Sequence, residues 1–374
     1  MTYVLHIETQ VPPHAYRQDF IRERMQDWAG GEKERRLVNA VYRHSGIETR
    51  YSVLGEFEDG GAAGLFGPGA DGRPIEPGTG ARNRRFAQES RSLAVAAAGR
   101  AIERSGIPAG DITHVITVSC TGFCNPGPDY HLVRDLGLRP SVARFNLGFM
   151  GCYAALPALR MAHDICRADA SALVLVVSIE LCTLHLHFEG NTDSLLANAI
   201  FADGAAAALV GARTPAPGKS ALRIDGFASA LIPDGEKDMA WQIGDKGFEI
   251  TLSSYVPDII GANVRAIVEP LLASLRLTLA DIGTWAVHPG GKSIVDKTAE
   301  ALCLRPEQVA ASRHVLRTYG NMSSATMLFV LKELMAGDGD AEAAGRICAM
   351  AFGPGLTVEC SFLTPVGADA ATSP

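Results

Sequence analysis

The sequence lacks long apolar runs and the features of a secretory leader. Nowhere in its 374 residues is there a stretch of the ~18 consecutive apolar residues that a membrane-spanning helix needs. Its start, MTYVLHIETQVPPHAYRQ, has neither the charged segment nor the long apolar segment of a signal peptide. We therefore expect a cytoplasmic protein without a membrane span, whose eight cysteines are mostly thiols.

An excess of positive charge is also missing. The chain has 34 Lys and Arg against 41 Asp and Glu, a net charge of −7, whereas a nucleic-acid binder presents a basic surface to phosphates. We therefore exclude nucleic acid as a partner. A basic cluster nevertheless lies early in the chain, and it is either a solvated helix face or a patch for a phosphorylated ligand. Its members are Arg35, Arg36, Arg43, His44 and Arg50.

Paired metal-ligand motifs are absent too. Cys120 and Cys124 are close in sequence, as are His185 and His187. However, the chain has no Cys-x-x-Cys pair and no second ligand pair at the spacing of a zinc finger. We therefore expect no metal site.

Helical and strand-like patterns alternate along much of the chain. Residues 86–105 carry apolar side chains at helical spacing, and 152–167 form a second such segment. The apolar runs at 114–119 and 172–180 read as buried strands. Residues 55–82 are rich in Gly and Pro and predict a long loop. This alternation is typical of α/β layers.

The second part of the chain repeats the first. Asp111 corresponds to Asp281, and the Gly-Cys at 151–152 corresponds to the Gly-Asn at 320–321, each before a helix rich in small residues. We therefore predict an α/β protein of two similar halves related by a pseudo-twofold axis, with domains at 1–225 and 226–374. A site at their junction would draw residues from both halves.

The repeat singles out three residues. Cys152 follows an apolar strand and a Gly-containing turn, where backbone N–H groups and a helix dipole favour a reactive thiolate. His288 ends an apolar strand, and Asn321 starts the helix that matches that of Cys152. Singly, they also fit a buried core thiol, a structural histidine and a helix N-cap. Together they supply a nucleophile, a base and an amide donor.

A rigid turn separates the last two apolar runs. Phe352, Gly353, Pro354 and Gly355 lie between ICAMA and LTVECSF, which read as buried strands. We expect this turn to fix the backbone against a cavity wall. The same tetrapeptide at 66–69 lies in the Gly-rich loop and is expected only to turn the chain.

These motifs, in this order and spacing, resemble the type III polyketide synthases of the chalcone and stilbene synthase superfamily. The resemblance covers residues 1–365. It rests on four motifs, which are GFMGCYAALPALRMAHD, AVHPGGKSI, YGNMSSAT and FGPGLTVE, and on the segments CTGFCNPGPDYHLVRDLGLRP and SLLANAIFADGAAAALVG.

The resemblance implies a thiolase-like five-layer αβαβα fold, a homodimer and a reaction. Cys152 would take an acyl starter from acyl-CoA, and His288 and Asn321 would stabilise the enolate formed when malonyl-CoA loses CO2. The enolate would attack the thioester, and the cycle would repeat before ring closure. In this scheme His288 as an imidazolium keeps Cys152 ionised. CoA thioesters are substrates, and no cofactor or metal is needed.

The resemblance also implies residues of a substrate cavity. Phe201 matches a phenylalanine between tunnel and cavity, whereas Ile250 and Trp241 depart from the plant pattern. These departures, with the thiol of Cys120, are similar to bacterial members that take fatty acyl starters and make alkylresorcinols or alkylpyrones. The remaining positions are Cys182, His185 and the turn at Phe352, Gly353, Pro354 and Gly355, with Arg36 and Arg43 as candidate CoA contacts.

Several alternatives remain. The chain could instead use malonyl-CoA or an aromatic or short starter, or condense only once, like a β-ketoacyl synthase III. A papain-like cysteine protease also has Cys, His and Asn in this order, but it needs a secreted chain with a different sequence around its cysteine. A thiolase-like scaffold in which Cys152 plays no catalytic part is the non-enzymatic alternative.

Overall fold

The computed structural model describes residues 1–55, 57, 64–70, 72–188, 192–216, 218–336 and 345–367. Part of the predicted loop at 55–82 therefore lies outside the described residues. The strands are β1 (Thr2–Gln10), β2 (His14–Arg17), β3 (Thr49–Ser52), β4 (His114–Ser119), β5 (Ala143–Gly148), β6 (Leu173–Leu181), β7 (Asp203–Gly211), β8 (Ala221–Leu231), β9 (Met239–Gly244), β10 (Gly247–Leu252), β11 (Ile282–Val287), β12 (Arg346–Gly353) and β13 (Thr357–Val366).

Ten α-helices occur among these described segments. In chain order they are α1 (Gln18–Trp28), α2 (Glu32–His44), α3 (Thr79–Ser105), α4 (Pro128–Asp135), α5 (Ala155–Ala168), α6 (Thr192–Ile200), α7 (Val256–Ser274), α8 (Lys292–Leu302), α9 (Ala310–Tyr319) and α10 (Ala325–Ala336). None of the helices in the described ranges has both the length and the apolarity needed to cross a lipid bilayer.

A mixed nine-stranded sheet organises the chain, in the order β11-β12-β13-β8-β1-β7-β6-β4-β5. Strand β4 runs parallel to both β5 and β6, and β11 runs parallel to β12, whereas the other neighbours are antiparallel. The sheet has two groups of strands: one contains β1, β7, β6, β4 and β5, and the second contains β8, β13, β12 and β11. The two groups meet where Thr2–Val4 of β1 pair with Leu222–Ile224 of β8. The sheet therefore runs from one half of the chain into the other.

The side chains of one strand serve two different cores. Leu173, Leu175 and Val177 of β6 face the layer that contains helix α3, whereas Val174 and Val176 join the central layer. All five are fully buried, and each buried aliphatic side chain contributes about 2 kcal/mol relative to an exposed one. Burial on both faces explains why β6 reads as a continuous apolar run without alternation.

Helices α5 and α10 occupy the central layer, between the two groups of strands. Their buried faces share one core with β1, β4, β6 and β7 on one side and with β8, β11, β12 and β13 on the other. Helices α7 and α8 cover the outer face of the second group. The layers therefore run helix, sheet, helix, sheet, helix, which is the predicted αβαβα arrangement.

Several predicted elements are found close to their expected positions. Strand β4 spans the predicted 114–119, and β6 begins and ends one residue later than predicted. Helix α3 starts at Thr79, seven residues before its apolar pattern begins. The pattern does not show these first turns, because the side chain that they bury is the polar Arg82. The division into domains at 1–225 and 226–374 stays a prediction, and its border falls inside β8 (Ala221–Leu231).

Candidate active site

A tight turn presents Cys152 at the start of the central helix α5. The helix begins at Ala155, three residues later than predicted, because residues 152–154 form a turn in which the N–H of Ala154 donates to the carbonyl of Gly151 at 3.1 Å. Gly151 itself has a φ of +89°, which favours glycine. A Cβ at position 151 would lie 2.5 Å from Cδ of Pro354. The predicted rigid turn between β12 and β13 therefore packs directly against the residue before Cys152.

His288 follows directly after strand β11 and points into the interior. Its backbone N–H donates to the carbonyl of Met350 at 2.7 Å, which ties the residue to strand β12. The side chain is 2% exposed, and neither ring nitrogen has a hydrogen-bond partner within the described part of the chain. Burial lowers the pKa of His288 to about 3. The ring is therefore a neutral imidazole, able both to donate and to accept a proton.

Asn321 lies buried just before helix α10. Its side-chain oxygen accepts from the backbone N–H of Ser323 at 2.9 Å, and its side-chain nitrogen donates to the carbonyl of Gly290 at 3.2 Å. The first bond orients the amide locally, and the second links it to the loop that follows His288. An amide nitrogen has two N–H groups, so the side chain can offer a second donor to an oxyanion.

The surroundings of Cys152 disfavour the expected thiolate. Burial raises the pKa of Cys152 to about 11, although hydrogen bonds from Ser323 and Asn321 favour the charged form. Ser323 Oγ donates to Cys152 Sγ at 3.5 Å. Burial thus favours the neutral thiol and the neutral imidazole, because the loss of hydration disfavours both charged forms. The pair of Cys152 thiolate and His288 imidazolium stays a prediction.

One cavity of about 450 Å³ brings together most of the predicted site residues from both halves of the chain. Those that line it are Cys152, His288, Asn321, Phe201, Cys120, Cys182, Trp241, Ile250, Phe352 and Pro354. The predicted His185, Gly353 and Gly355 are not among the lining residues. Gly353 lies against the ring of Tyr153, which leaves no space for a Cβ, and Gly355 supplies the positive φ that the turn requires.

The hairpin of β9 and β10 forms a wall of the cavity, which we call the far wall because it carries none of Cys152, His288 and Asn321. Trp241 and Ile250 are directly paired across it, and Trp241 Nε1 donates to the carbonyl of Cys120 at 2.7 Å. His185 stands behind this wall, stacked on Phe248 with ring centres 4.2 Å apart. Both of its nitrogens are occupied, by the carbonyl of Thr121 and by the N–H of Phe248. His185 therefore supports the wall without touching the cavity.

Glu180 is a buried carboxylate beside the cavity that sequence reasoning missed. It accepts from the backbone N–H of Cys120 at 3.0 Å and from Thr121 Oγ1 at 2.8 Å, and Ser324 Oγ also donates to it. Burial raises the pKa of Glu180 to about 7, although these donors oppose the change. The available signal is a single carboxylate inside the otherwise apolar or small LVLVVSIEL.

Parts of α2, α7 and α8 also line the cavity. Lys292, the first residue of α8, lines it, and Lys292 was not singled out in the sequence. Arg36 and Arg43 are exposed on α2 and are not lining residues, and Arg36 pairs with Glu32 at 3.1 Å. Their contact with CoA stays a prediction.

The early basic cluster does not form one patch. Arg35, Arg36, Arg43 and His44 are exposed on α2, and His44 also lines the cavity, whereas Arg50 is only 6% exposed. The solvated helix face and the phosphate-binding patch both stay predictions for the exposed members. Within the described ranges, no three His, Cys, Asp or Glu side chains come together as a metal site requires. All eight cysteines are thiols.

Comparison with known proteins agrees with this arrangement. The family model for the N-terminal domain of chalcone and stilbene synthases matches residues 2–214, and the model for their C-terminal domain matches residues 224–367. The chain belongs to the chalcone and stilbene synthase family. Members of the family are acyltransferases that catalyse decarboxylative condensation, and this chain is a type III polyketide synthase by family.

Individual relatives cover most of the chain. Bisdemethoxycurcumin synthase from Oryza sativa subsp. japonica is 40% identical over 281 residues, which are 72% of this chain and 70% of that protein. The crystal structure of PKS-I from the brown alga Ectocarpus siliculosus has a TM-score of 0.91 and 31% identity and covers 98% of each chain. That of 1,3,6,8-tetrahydroxynaphthalene synthase from Streptomyces coelicolor has a TM-score of 0.86 and 28% identity over 97% of this chain and 99% of that one.

Proposed function

We propose that this chalcone and stilbene synthase family member loads an acyl starter from acyl-CoA on Cys152 and extends it repeatedly with malonyl-CoA. The observation that supports the proposal is that Cys152, His288 and Asn321 line one cavity, although they come from separate parts of the sequence. In this reaction CoA thioesters are substrates, and each step is an acyl transfer, a decarboxylation or a condensation. No cofactor is therefore required.

The loading step starts from two neutral groups. Because burial raises the pKa of Cys152 and lowers that of His288, the resting site holds a thiol and an imidazole. His288 accepts the thiol proton as the sulfur attacks the thioester carbonyl of acyl-CoA. The carbon–sulfur bond to CoA then breaks, and the departing CoA sulfur takes the proton back from His288. The products are the Cys152 thioester and CoA, and the imidazole is neutral again.

The extension step uses the same imidazole as a donor. When the carboxylate of malonyl-CoA leaves as CO2, negative charge develops on the thioester oxygen of the resulting enolate. A neutral His288 and the side-chain N–H of Asn321 donate to this oxygen, and their bonds strengthen only as the charge forms. The enolate carbon then attacks the Cys152 thioester and releases the Cys152 thiolate, which leaves the chain, two carbons longer, on CoA. For the next cycle this thiolate attacks the new CoA thioester, so the chain returns to Cys152 and CoA leaves as its thiolate.

We propose a fatty acyl starter and an alkylresorcinol or alkylpyrone type of product, as in the bacterial branch. Two features support this: Trp241 and Ile250 are paired in the cavity wall, and Cys120 presents a thiol there. The second candidate is an aromatic starter, which is favoured by the 40% identity to a plant protein named for a curcuminoid product. We also propose a homodimer, as the resemblance implies, which sedimentation velocity tests directly.

A panel of starter CoA thioesters separates these candidates. The purified protein is incubated with malonyl-CoA and with fatty acyl-CoA of several chain lengths, phenylpropanoid-CoA, or no starter, and the products are read by mass spectrometry. We expect tri- or tetraketide products from fatty acyl starters. Products from the aromatic starters alone would favour the second candidate. A single β-keto product on acyl carrier protein, without longer chains, would contradict iterative extension.

A further inference from the structure

Arg50 is the one member of the early basic cluster that the structure buries. It lies in strand β3, and its side chain is 6% exposed. Its guanidinium stacks over the ring of Tyr42, with 5.6 Å from Cζ to the ring centre. A buried guanidinium is costly unless its N–H groups find acceptors, so the positions of its acceptors reveal what it holds in place.

Both acceptors lie at the end of the segment that carries Phe201. Arg50 Nη1 donates to the carbonyl of Asn198 and to the carbonyl of Phe201, each at 2.7 Å. Asn198 is in the last turn of α6, where carbonyls lack helical partners. The hydroxyl of Tyr42 also donates to the backbone carbonyl of Asn198, at 3.0 Å. A cation at this end of the helix is favourable and gives charge-assisted hydrogen bonds.

The same segment is bonded to Asn321. The N–H of Asn321 donates to the carbonyl of Ile200 at 2.9 Å, and the N–H of Ala202 donates to the carbonyl of Asn321 at 2.8 Å. Gly320 has a φ of +74°, and a Cβ there would lie 2.9 Å from Cγ of Arg50. The absence of that Cβ lets the stem of Arg50 pass directly beside the backbone before Asn321.

We propose that Arg50 is a positioning residue that fixes Phe201 and Asn321 relative to each other. It touches neither the cavity nor the substrates, and it acts through the carbonyls of residues 198 and 201. One guanidinium therefore holds a cavity-wall side chain from one half of the chain against the enolate-stabilising amide from the other. The inference rests on the proposed function for the role of Asn321, but the structural coupling can be measured without any substrate.

The test compares Arg50→Met with Arg82→Met. Arg82 is a matched control, since it is fully buried, donates to the carbonyls of Leu184 and Leu186 at 2.7 and 2.8 Å, and stacks over Phe66 at 4.8 Å. Amide hydrogen exchange is read at Ala202 and Asn321 relative to the core strand β6. The kcat and KM for malonyl-CoA decarboxylation are measured in parallel, and Arg50→Lys tests rescue by a conservative change.

The exchange ratio is the exchange rate of the Ala202 or Asn321 amide divided by that of the β6 amides. In Arg50→Met we expect this ratio to be about 10-fold higher than in the wild type. The kcat for decarboxylation should fall about 10-fold with little change in KM, because a misplaced donor weakens the transition state more than binding. Arg50→Lys should recover most of both. Arg82→Met should lower stability without changing the exchange ratio.

Unchanged exchange ratios in Arg50→Met, or equal changes in Arg82→Met, would overturn the proposal. If Arg50→Met does not fold, Tyr42→Phe removes a single donor to Asn198 and should give about a threefold change in the exchange ratio, and its absence would count equally against the proposal. Failure of wild-type decarboxylation would refute the proposed function instead, while the exchange measurement would still decide the role of Arg50.

Discussion

Two parts of the cavity differ in how their polar groups are hydrogen-bonded. One is the reacting end, where Cys152, His288 and Asn321 lie, and the other is the far wall formed by the hairpin of β9 and β10. At the reacting end, the ring nitrogens of His288 have no partner within the described residues, and the thiol of Cys152 accepts from Ser323 at 3.5 Å and from the side chain of Asn321. At the far wall, the indole of Trp241 and both nitrogens of His185 are bonded. Unpartnered groups are available to a substrate, whereas partnered groups fix a shape.

This difference has an energetic side. A buried donor or acceptor without a partner lowers stability by about 1–3 kcal/mol. This penalty applies to the ring nitrogens of His288, whereas the indole N–H of Trp241 in the hairpin has a partner. A substrate oxygen that bonds to His288 recovers this cost, so binding and transition-state stabilisation concentrate there. We therefore expect substitutions at the reacting end to abolish steps and substitutions at the far wall to change products.

The largest effect is expected from the two catalytic substitutions. Cys152→Ala should lower chain extension by about 10³-fold or more, because no thioester can form. It should retain malonyl-CoA decarboxylation, since His288 and Asn321 remain. His288→Ala should lower decarboxylation itself by about 10²-fold, because it removes an oxyanion donor. Release of CO2 and polyketide formation are measured separately for each variant.

These two variants serve as controls for each other. Full polyketide synthesis by Cys152→Ala would remove Cys152 from the role of nucleophile. Near wild-type CO2 release by His288→Ala would remove His288 from the enolate site. Either result would also break the comparison, since the reacting end would then be no more sensitive than the far wall.

The pH dependence of thiol alkylation tests the electrostatics of the reacting end. Because the pKa of Cys152 is raised to about 11, the thiolate fraction, and with it the rate of alkylation by iodoacetamide, should rise about 10-fold per pH unit between pH 7 and 10. The rate is read on the Cys152 peptide by mass spectrometry. His288→Ala should give the same slope, since the imidazole is already neutral above its pKa of about 3.

A rate that is constant from about pH 6 to 9 would mean that Cys152 is already ionised in this range. That outcome would restore the thiolate–imidazolium pair that the sequence suggests. The loss of the plateau in His288→Ala would then identify the imidazolium as its cause.

The smallest effect on rate is expected at the far wall. Trp241→Gly removes a large side chain from the cavity and a bond to the carbonyl of Cys120, so we expect a shift in preferred starter length or extension number with a rate change within about 10-fold. Gln242→Gly is the matched control, because Gln242 is the next residue in the same strand, is exposed and does not line the cavity. Mass spectrometry of the product mixture reads both variants.

An unchanged product profile in Trp241→Gly would mean that Trp241 does not limit the growing chain. An equal shift in Gln242→Gly would assign the effect to loosening of the hairpin, since both substitutions place a flexible glycine in a strand.

Much of the fold could be predicted because its signals are local or repeated. Strand β4 was found from its apolar run, and the correspondence of Cys152 with Asn321 led to the two central helices. The start of α3 was missed because Arg82 turns inward, and a hydrophobic pattern cannot register a polar residue whose partners come from elsewhere in the chain.

The site was predictable in part for the same reason. Cys152, His288 and Asn321 occupy positions that the repeat and the motifs single out, and they line one cavity. Glu180 was missed because its role depends on the hydrogen-bond donors around it, which come from Cys120 and other residues distant in the sequence. The apolar run LVLVVSIEL marks Glu180 as unusual, but it does not show which donors surround the carboxylate.

The sequence alone determined the charge balance, the alternation of helices and strands, the two matching halves and the residue types of the reacting set. Only the tertiary structure decided that Arg50 is buried, that Lys292 lines the cavity, and that burial disfavours the charged forms of Cys152 and His288. Hydration and hydrogen-bond partners decide these properties. Both depend on segments far apart in the chain, which no local pattern records.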